Sequence, residues 1–132
     1  MTAPQTTTCP FCPPLERETL ESHPLAISIA DSFPLSQGHS LIVPRRHVPS
    51  FFDLAGEERL AILELLDRVK RLLDRRYAPD GYNIGVNDGP AAGQTVMHLH
   101  VHVIPRYQGD MDDPRGGVRW IFPDKAAYWK RK

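Results

Sequence analysis

A chain of 132 residues with 41% hydrophobic side chains suits one compact domain with a single core, residues 1–132, and leaves no room for a second. Lys and Arg number 16 against 16 Asp and Glu, so no net field draws in nucleic acid or an anionic membrane, and partners must be recognised locally. No apolar run approaches the roughly 20 residues of a membrane span, and Met1–Thr8 is polar, without the basic-then-apolar pattern of a signal peptide. A cytoplasmic protein with a flexible lead-in at residues 1–8 is expected.

The first motif in chain order is Cys9-Pro10-Phe11-Cys12. In a reducing compartment, two cysteines at this spacing read as thiolates for a metal rather than a lasting disulfide. A redox motif of this kind opens a helix, yet Pro13 and Pro14 follow at once and push the residues before them away from helical geometry. Two thiolates cannot close a tetrahedral shell. Histidines can supply the rest: His47 and one of the three histidines between Met97 and Arg106. Spacing alone leaves open which.

Leu25–Ala30 reads as a strand ending at Asp31, and Ser40–Val43 as a second ending at Pro44. In Gly56–Tyr77 the apolar residues Ile62, Leu66, Val69 and Leu73 recur at helical spacing between charged neighbours, with acids early and bases late. That pattern predicts a long amphipathic helix, stopped before the turn Pro79-Asp80-Gly81. Tyr82–Val86 is a third strand. The fold class is α+β, with an antiparallel sheet against a helix.

The fourth strand, Met97–Arg106, is the most informative stretch, because three of the chain's six histidines alternate with apolar residues. Leu99, Val101 and Val103 fall on one face, and His98, His100 and His102 on the other. Packing needs the first face; the second concentrates titratable groups that packing does not need. Asn87–Thr95 feeds directly into this strand. Its glycines allow backbone amides to form an anion nest, so that a phosphate held by Gly93, Gln94 and Thr95 lies beside His100. A plain hairpin loop is the alternative.

Cys9-Pro10-Phe11-Cys12, Gly38-His39 followed by Pro44-Arg45-Arg46-His47, and Gly93-Gln94-Thr95-Val96 leading into His98-Leu99-His100-Val101-His102-Val103 together resemble the histidine-triad (HIT) family. The resemblance covers about Cys9 to Arg106. The C-terminal tail, residues 109–132, is similar to that of bacterial members of the diadenosine polyphosphate hydrolase type. A HIT-like fold implies about five antiparallel strands packed with one long helix.

The resemblance implies a nucleotidyl hydrolase in which His100 attacks the α-phosphorus of an adenosine-type nucleotide, a diadenosine polyphosphate or adenosine phosphoramidate, and water then releases AMP. A neutral imidazole suits both attack and departure, so one hard displacement becomes two easier ones. By the same resemblance a main-chain carbonyl of the histidine strand orients His100, His102 contacts phosphate with Gln94 and Thr95, and His39 stands behind the nucleophile. Asp31 and Ser32 fall at the ribose position and Asn87 near the scissile bridge, and Ile27 or Phe33 falls at the base pocket. The metal ligands become Cys9, Cys12, His47 and His98, a closed structural zinc site. Mg2+ is a further expectation with polyphosphate substrates, and a homodimer is implied.

Two other classes compete: a nucleotidyltransferase or phosphorylase, and a nucleotide sensor with little turnover. A sensor can lose His100, which this chain keeps. In the tail, Arg115 and Arg119 flank Gly116-Gly117 and are candidates to close over distal phosphates.

Overall fold

The computed structural model describes residues 9–13, 15 and 17–130. The lead-in Met1–Thr8 lies outside the described residues. Five strands, β1 (Thr19–Ser22), β2 (Ala26–Ala30), β3 (Ser40–Pro44), β4 (Gly81–Val86) and β5 (Val101–Arg106), form one sheet in the order β1-β2-β3-β5-β4, every neighbouring pair antiparallel. Helix α1 spans Gly56–Tyr77, the predicted bounds, and crosses β1, β2 and β3 on one face.

β2 and β3 are buried almost throughout because both faces of the sheet are covered. Toward the helix, Ala26, Ile42, Leu99, Val101 and Val103 meet Ala61, Ile62, Leu65, Val69 and Leu73. On the opposite face Ile27, Ile29, Leu41 and Val43 pack beneath Cys9, Phe11 and Cys12. A chain segment with no regular structure thus supplies half a core layer.

Helix α1 is tied in at both ends. Glu58 accepts from the Ala55 backbone N–H at 2.7 Å and pairs with Arg46 through both carboxylate oxygens, at 2.7 and 3.0 Å. At the far end Ala78 takes φ of 49°, the left-handed turn that stops a helix.

The histidine strand is shorter than predicted, starting at Val101 rather than Met97. Beyond Pro44 the chain has left the sheet, and the Leu99 N–H donates to the Val48 carbonyl at 2.7 Å instead of to a ladder. The alternation of faces nevertheless persists back to Leu99, which lies in the helix-side core. β1 carries no sequence signal: it is a four-residue edge strand with an irregular register between Thr19 and Glu21.

After β5 the chain closes a small unit of its own. A 3-10 turn at Gly117–Ile121 and a helical turn at Pro123–Ala126 are held by the Arg119 side chain, which donates to the Lys125 and Ala126 carbonyls at 2.7 and 3.2 Å. No helix among the described residues is long and apolar enough to cross a membrane.

Candidate active site and metal centre

The three histidines of the motif do three different things, each decided by a backbone group. His98 is fully buried. Its Nε2 lies 2.7 Å from the Pro44 carbonyl, which can only accept, so Nε2 carries the proton and Nδ1 presents a lone pair. His100 lies in the opposite sense: its Nδ1 donates to the His98 carbonyl at 2.9 Å, leaving the Nε2 lone pair free. Phe11 packs against this ring at 5.0 Å between centroids and meets His98 edge-on at 5.9 Å.

His102 belongs to a relay. The Leu35 N–H donates to His39 Nδ1 at 3.0 Å, which places the His39 proton on Nε2. That atom lies 3.0 Å from His102 Nδ1 and 3.2 Å from an Asp31 carboxylate oxygen. His102 Nδ1 must then accept, and the His102 proton sits on Nε2, where it can be donated to a ligand. Burial pushes the His102 imidazole below its usual range, with His100 and His39 adding to the effect and Asp31 opposing it. Burial lowers His39 in the same way, again against Asp31. Both rings are neutral at pH 7.

His39 therefore stands behind His102 rather than behind His100, correcting the expected arrangement. Asp31 is likewise drawn inward: one oxygen faces His39 and the other accepts the Phe33 N–H at 2.8 Å. Asp31, His39 and His102 lie close enough for a cation, but a His39 Nε2 that bears a proton has no lone pair to offer. The cluster is a hydrogen-bonded relay.

Cys9, Cys12, His47 and His98 converge, as the resemblance implies. His98 Nδ1 lies 3.4 Å from the Cys9 sulfur, 3.6 Å from that of Cys12 and 3.1 Å from His47 Nδ1, which is itself 3.3 Å from Cys12. A tetrahedral zinc shell built from bonds of about 2.0–2.3 Å has edges of roughly 3.3–3.8 Å, so the donor set fits. Burial, reinforced by Cys9, pushes the Cys12 thiol up to about 11. A thiolate there requires a neighbouring cation.

The loop before the histidines departs from the nest prediction. Gly89 and Gly93 take φ of 96° and 98° and frame a 3-10 turn at Pro90–Ala92. The Gly93 and Gln94 N–H groups are spent inside it, on the Pro90 and Gly89 carbonyls at 3.0 and 3.1 Å. The Gln94 side chain is buried, donating to the Pro49 and Val96 carbonyls and accepting from Gly89. These residues shape the loop, with Asp88 pinning it to Ser50 and Phe51. Thr95 and Asn87 remain exposed, as does Ser32 beside Asp31.

The tail arginines are committed as well. Arg115 pairs with Asp113 and lies 4.4 Å from the centroid of the Trp129 ring; Arg119 caps the tail and lies 4.9 Å from that of Tyr128. Both guanidinium groups have partners within the tail, that of Arg115 in an exposed pair with Asp113. Residues that sequence reasoning passed over are Phe11, whose ring supports His100, and the main-chain groups of Pro44 and Leu35; only Phe11 left a signal, by its place between the two cysteines.

Residues 16–109 match the HIT domain family. The bifunctional bis(5'-adenosyl)-triphosphatase/adenylylsulfatase FHIT of Arabidopsis thaliana is 35% identical over 96 residues, covering 73% of this chain and 53% of the relative. The asymmetrical bis(5'-nucleosyl)-tetraphosphatase of Schizosaccharomyces pombe is 35% identical over 89 residues, 67% of this chain and 49% of the relative. This chain thus spans about half the length of these curated relatives. Among solved structures, a Zn-bound histidine triad family protein from Mycobacterium smegmatis superposes with a TM-score of 0.72 at 32% identity, covering 80% of this chain and 79% of that one. With the motif histidines, the five-stranded sheet and the long helix all in agreement, the chain belongs to the HIT family.

Proposed function

We propose that this chain is a nucleotidyl hydrolase that cleaves adenosine-type nucleotides at the α-phosphate through His100. The observation that carries this is the 2.9 Å bond from His100 Nδ1 to the His98 carbonyl, which turns the Nε2 lone pair outward beside a histidine that offers an N–H. Nε2 forms a bond to phosphorus as the bridging P–O bond breaks, and the leaving group departs with that electron pair. The His102 Nε2–H steadies the phosphoryl oxygens. Water then attacks phosphorus, the P–N electron pair returns to His100, and AMP leaves while the water proton passes to solvent. Thr95 and Asn87, exposed at the loop, contact the phosphates, and Ser32 and the Asp31 turn receive the ribose. Gln94 and Gly93 support that loop from within. Mg2+ accompanies polyphosphate substrates.

Cys9, Cys12, His47 and His98 hold zinc, which supplies no chemistry to the reaction and fixes the His98 carbonyl on which His100 hangs. The protein acts in the cytoplasm as a homodimer: Leu60 and Leu63 on α1 and Ile84 on β4 are large exposed apolar residues, and β4 is a sheet edge.

Incubation with diadenosine triphosphate, quenched in alkali, tests the mechanism. AMP release by the wild-type chain, an AMP adduct located on His100, and a loss of several orders of magnitude in His100→Ala are the expected results. Turnover by His100→Ala near the wild-type rate overturns it. AMP binding without any turnover by the wild-type chain favours a nucleotide sensor.

A further inference from the structure

Two aromatic contacts join Arg17 to the nucleophile. Its guanidinium carbon lies 5.2 Å from the centroid of the Phe11 ring, and that ring packs against His100 at 5.0 Å between centroids. Side chains alternate at this point of the chain. Glu18 pairs with Arg76 of α1 at 3.4 Å, on the helix side of the sheet, whereas Arg17 turns to the side covered by Cys9, Phe11 and Cys12. A guanidinium over a ring spends its flat face on the contact and keeps its edge N–H groups for a ligand. Arg17 is half-buried, which also withdraws those donors in part from water.

One row of register partners crosses the sheet on that face: His102 on β5, Leu41 on β3, Ile29 on β2 and Thr19 on β1. It spans three strand spacings of about 4.8 Å, roughly 14 Å. The row begins at the histidine that faces the phosphates and ends two residues from Arg17. Asp31, at the ribose in the reading above, follows the end of β2. The Ala30 N–H donates to the Glu18 carbonyl at 3.0 Å, so the backbone next to Arg17 is fixed to the residue before Asp31. A nucleoside with its phosphate on β5 and its ribose at the end of β2 runs on toward β1 and carries its base to Phe11 and Arg17.

We infer that Arg17 reads the base, and that the chain takes 6-oxopurine nucleosides, guanosine foremost, in preference to adenosine. An arginine offers N–H donors and no acceptor. Guanine presents two neighbouring acceptors, O6 and N7, which match the guanidinium fork; adenine sets its N6 amine, a donor, beside N7 and turns one arm of the fork away. Hypoxanthine shares O6 and N7, so inosine ranks with guanosine. The inference rests on the nucleotidyl-hydrolase reading above and widens its base from adenine to the 6-oxopurines, with the chemistry at His100 unchanged.

Affinities of the wild-type chain, Arg17→Met and Arg17→Lys for GMP, IMP and AMP test this. Met keeps an unbranched stem against Phe11, and Lys keeps the charge without the fork. Wild type should bind GMP and IMP about tenfold tighter than AMP, the discrimination that a bidentate contact to O6 and N7 supplies, and in both variants the ratios should fall to within about twofold of unity. A ratio between ligands on one variant does not depend on how much of that variant is folded, so the ratios decide. Wild-type affinity for AMP equal to or above that for GMP overturns the inference. An equal loss for all three ligands in Arg17→Met, the mark of a contact to phosphate or ribose, overturns it as well. IMP that behaves like AMP assigns the discrimination to the guanine amine, a donor that Arg17 cannot read, with the same result. Hydrolysis is followed separately: a wild-type chain that binds GMP but cleaves neither diguanosine nor diadenosine triphosphate ends the hydrolase reading and leaves the affinity ratios to decide the base. A wild-type chain that binds none of the three nucleotides ends both.

Discussion

His98 Nε2 lies 2.7 Å from the carbonyl oxygen of Pro44, and through that contact the end of β3 decides which nitrogen the cysteine cluster sees. The same residue's own carbonyl holds His100. His98 therefore faces the cysteine cluster with its side chain and anchors His100 with its main chain, so disturbance of the proposed zinc site should reach His100.

From this follows the metal prediction. The purified protein should hold about one zinc per chain, and Cys9→Ser or His98→Asn should lower that content and the activity together. Chelation should remove about 2 kcal/mol or more, roughly 5–10 °C in Tm for a chain of this size. Freshly purified protein free of zinc, with a Tm indifferent to chelator, would exclude the assignment.

A second prediction concerns His39. Gly38 has φ of 92°, and a Cβ there would lie 3.0 Å from the Tyr77 ring and 3.2 Å from Leu73, so the residue before His39 is wedged against the end of α1. Gly38→Ala should cost about 1–3 kcal/mol and displace His39 from His102. Gly56→Ala, at a position with open space and no positive φ, should be neutral or slightly stabilising. Urea midpoints that rank the two variants the other way would show that Gly38 is not constrained.

Stability should also depend on pH in a defined window. His39 and His102 are lowered from an ordinary value of 6.5, chiefly by burial, so on acidification the unfolded chain takes up these protons before the folded one does. Stability contributed by keeping them neutral is complete above 6.5 and is lost as pH falls from there toward the lower folded values. Carboxylates lowered by their partners, such as Asp110 at about 2, weigh in only at more acid pH. The urea midpoint should fall between about pH 6.5 and 5, and His39→Gln should flatten that fall. A wild-type midpoint constant across this range would refute it.

The dimer prediction is tested on the helix. Leu60 and Leu63 are 69% and 60% exposed on α1. Leu63→Glu should yield a monomer by light scattering, whereas a charge change at Glu57, also exposed on α1, should not. A wild-type chain that runs as a monomer at micromolar concentration would reject the interface.

Much of this was legible in the chain. Helix α1 was readable to the residue, because one apolar stripe of Ile62, Val69 and Leu73 can be buried in only one way. The faces of His98, His100 and His102 followed from strand periodicity, and the grouping of Cys9, Cys12, His47 and His98 from the family resemblance. The periodicity depends on no distant contact. The tertiary structure decided which histidine does what, because a ring's proton goes where a main-chain partner far away in sequence allows: Pro44 for His98, and Leu35 by way of His39 for His102. It also decided that the Gly93 and Gln94 amides and the Gln94 and Arg119 side chains are spent on the fold, since a donor's availability depends on whether a carbonyl elsewhere has already taken it. Side-chain periodicity is a local property of the backbone; the hydrogen-bond partner is not.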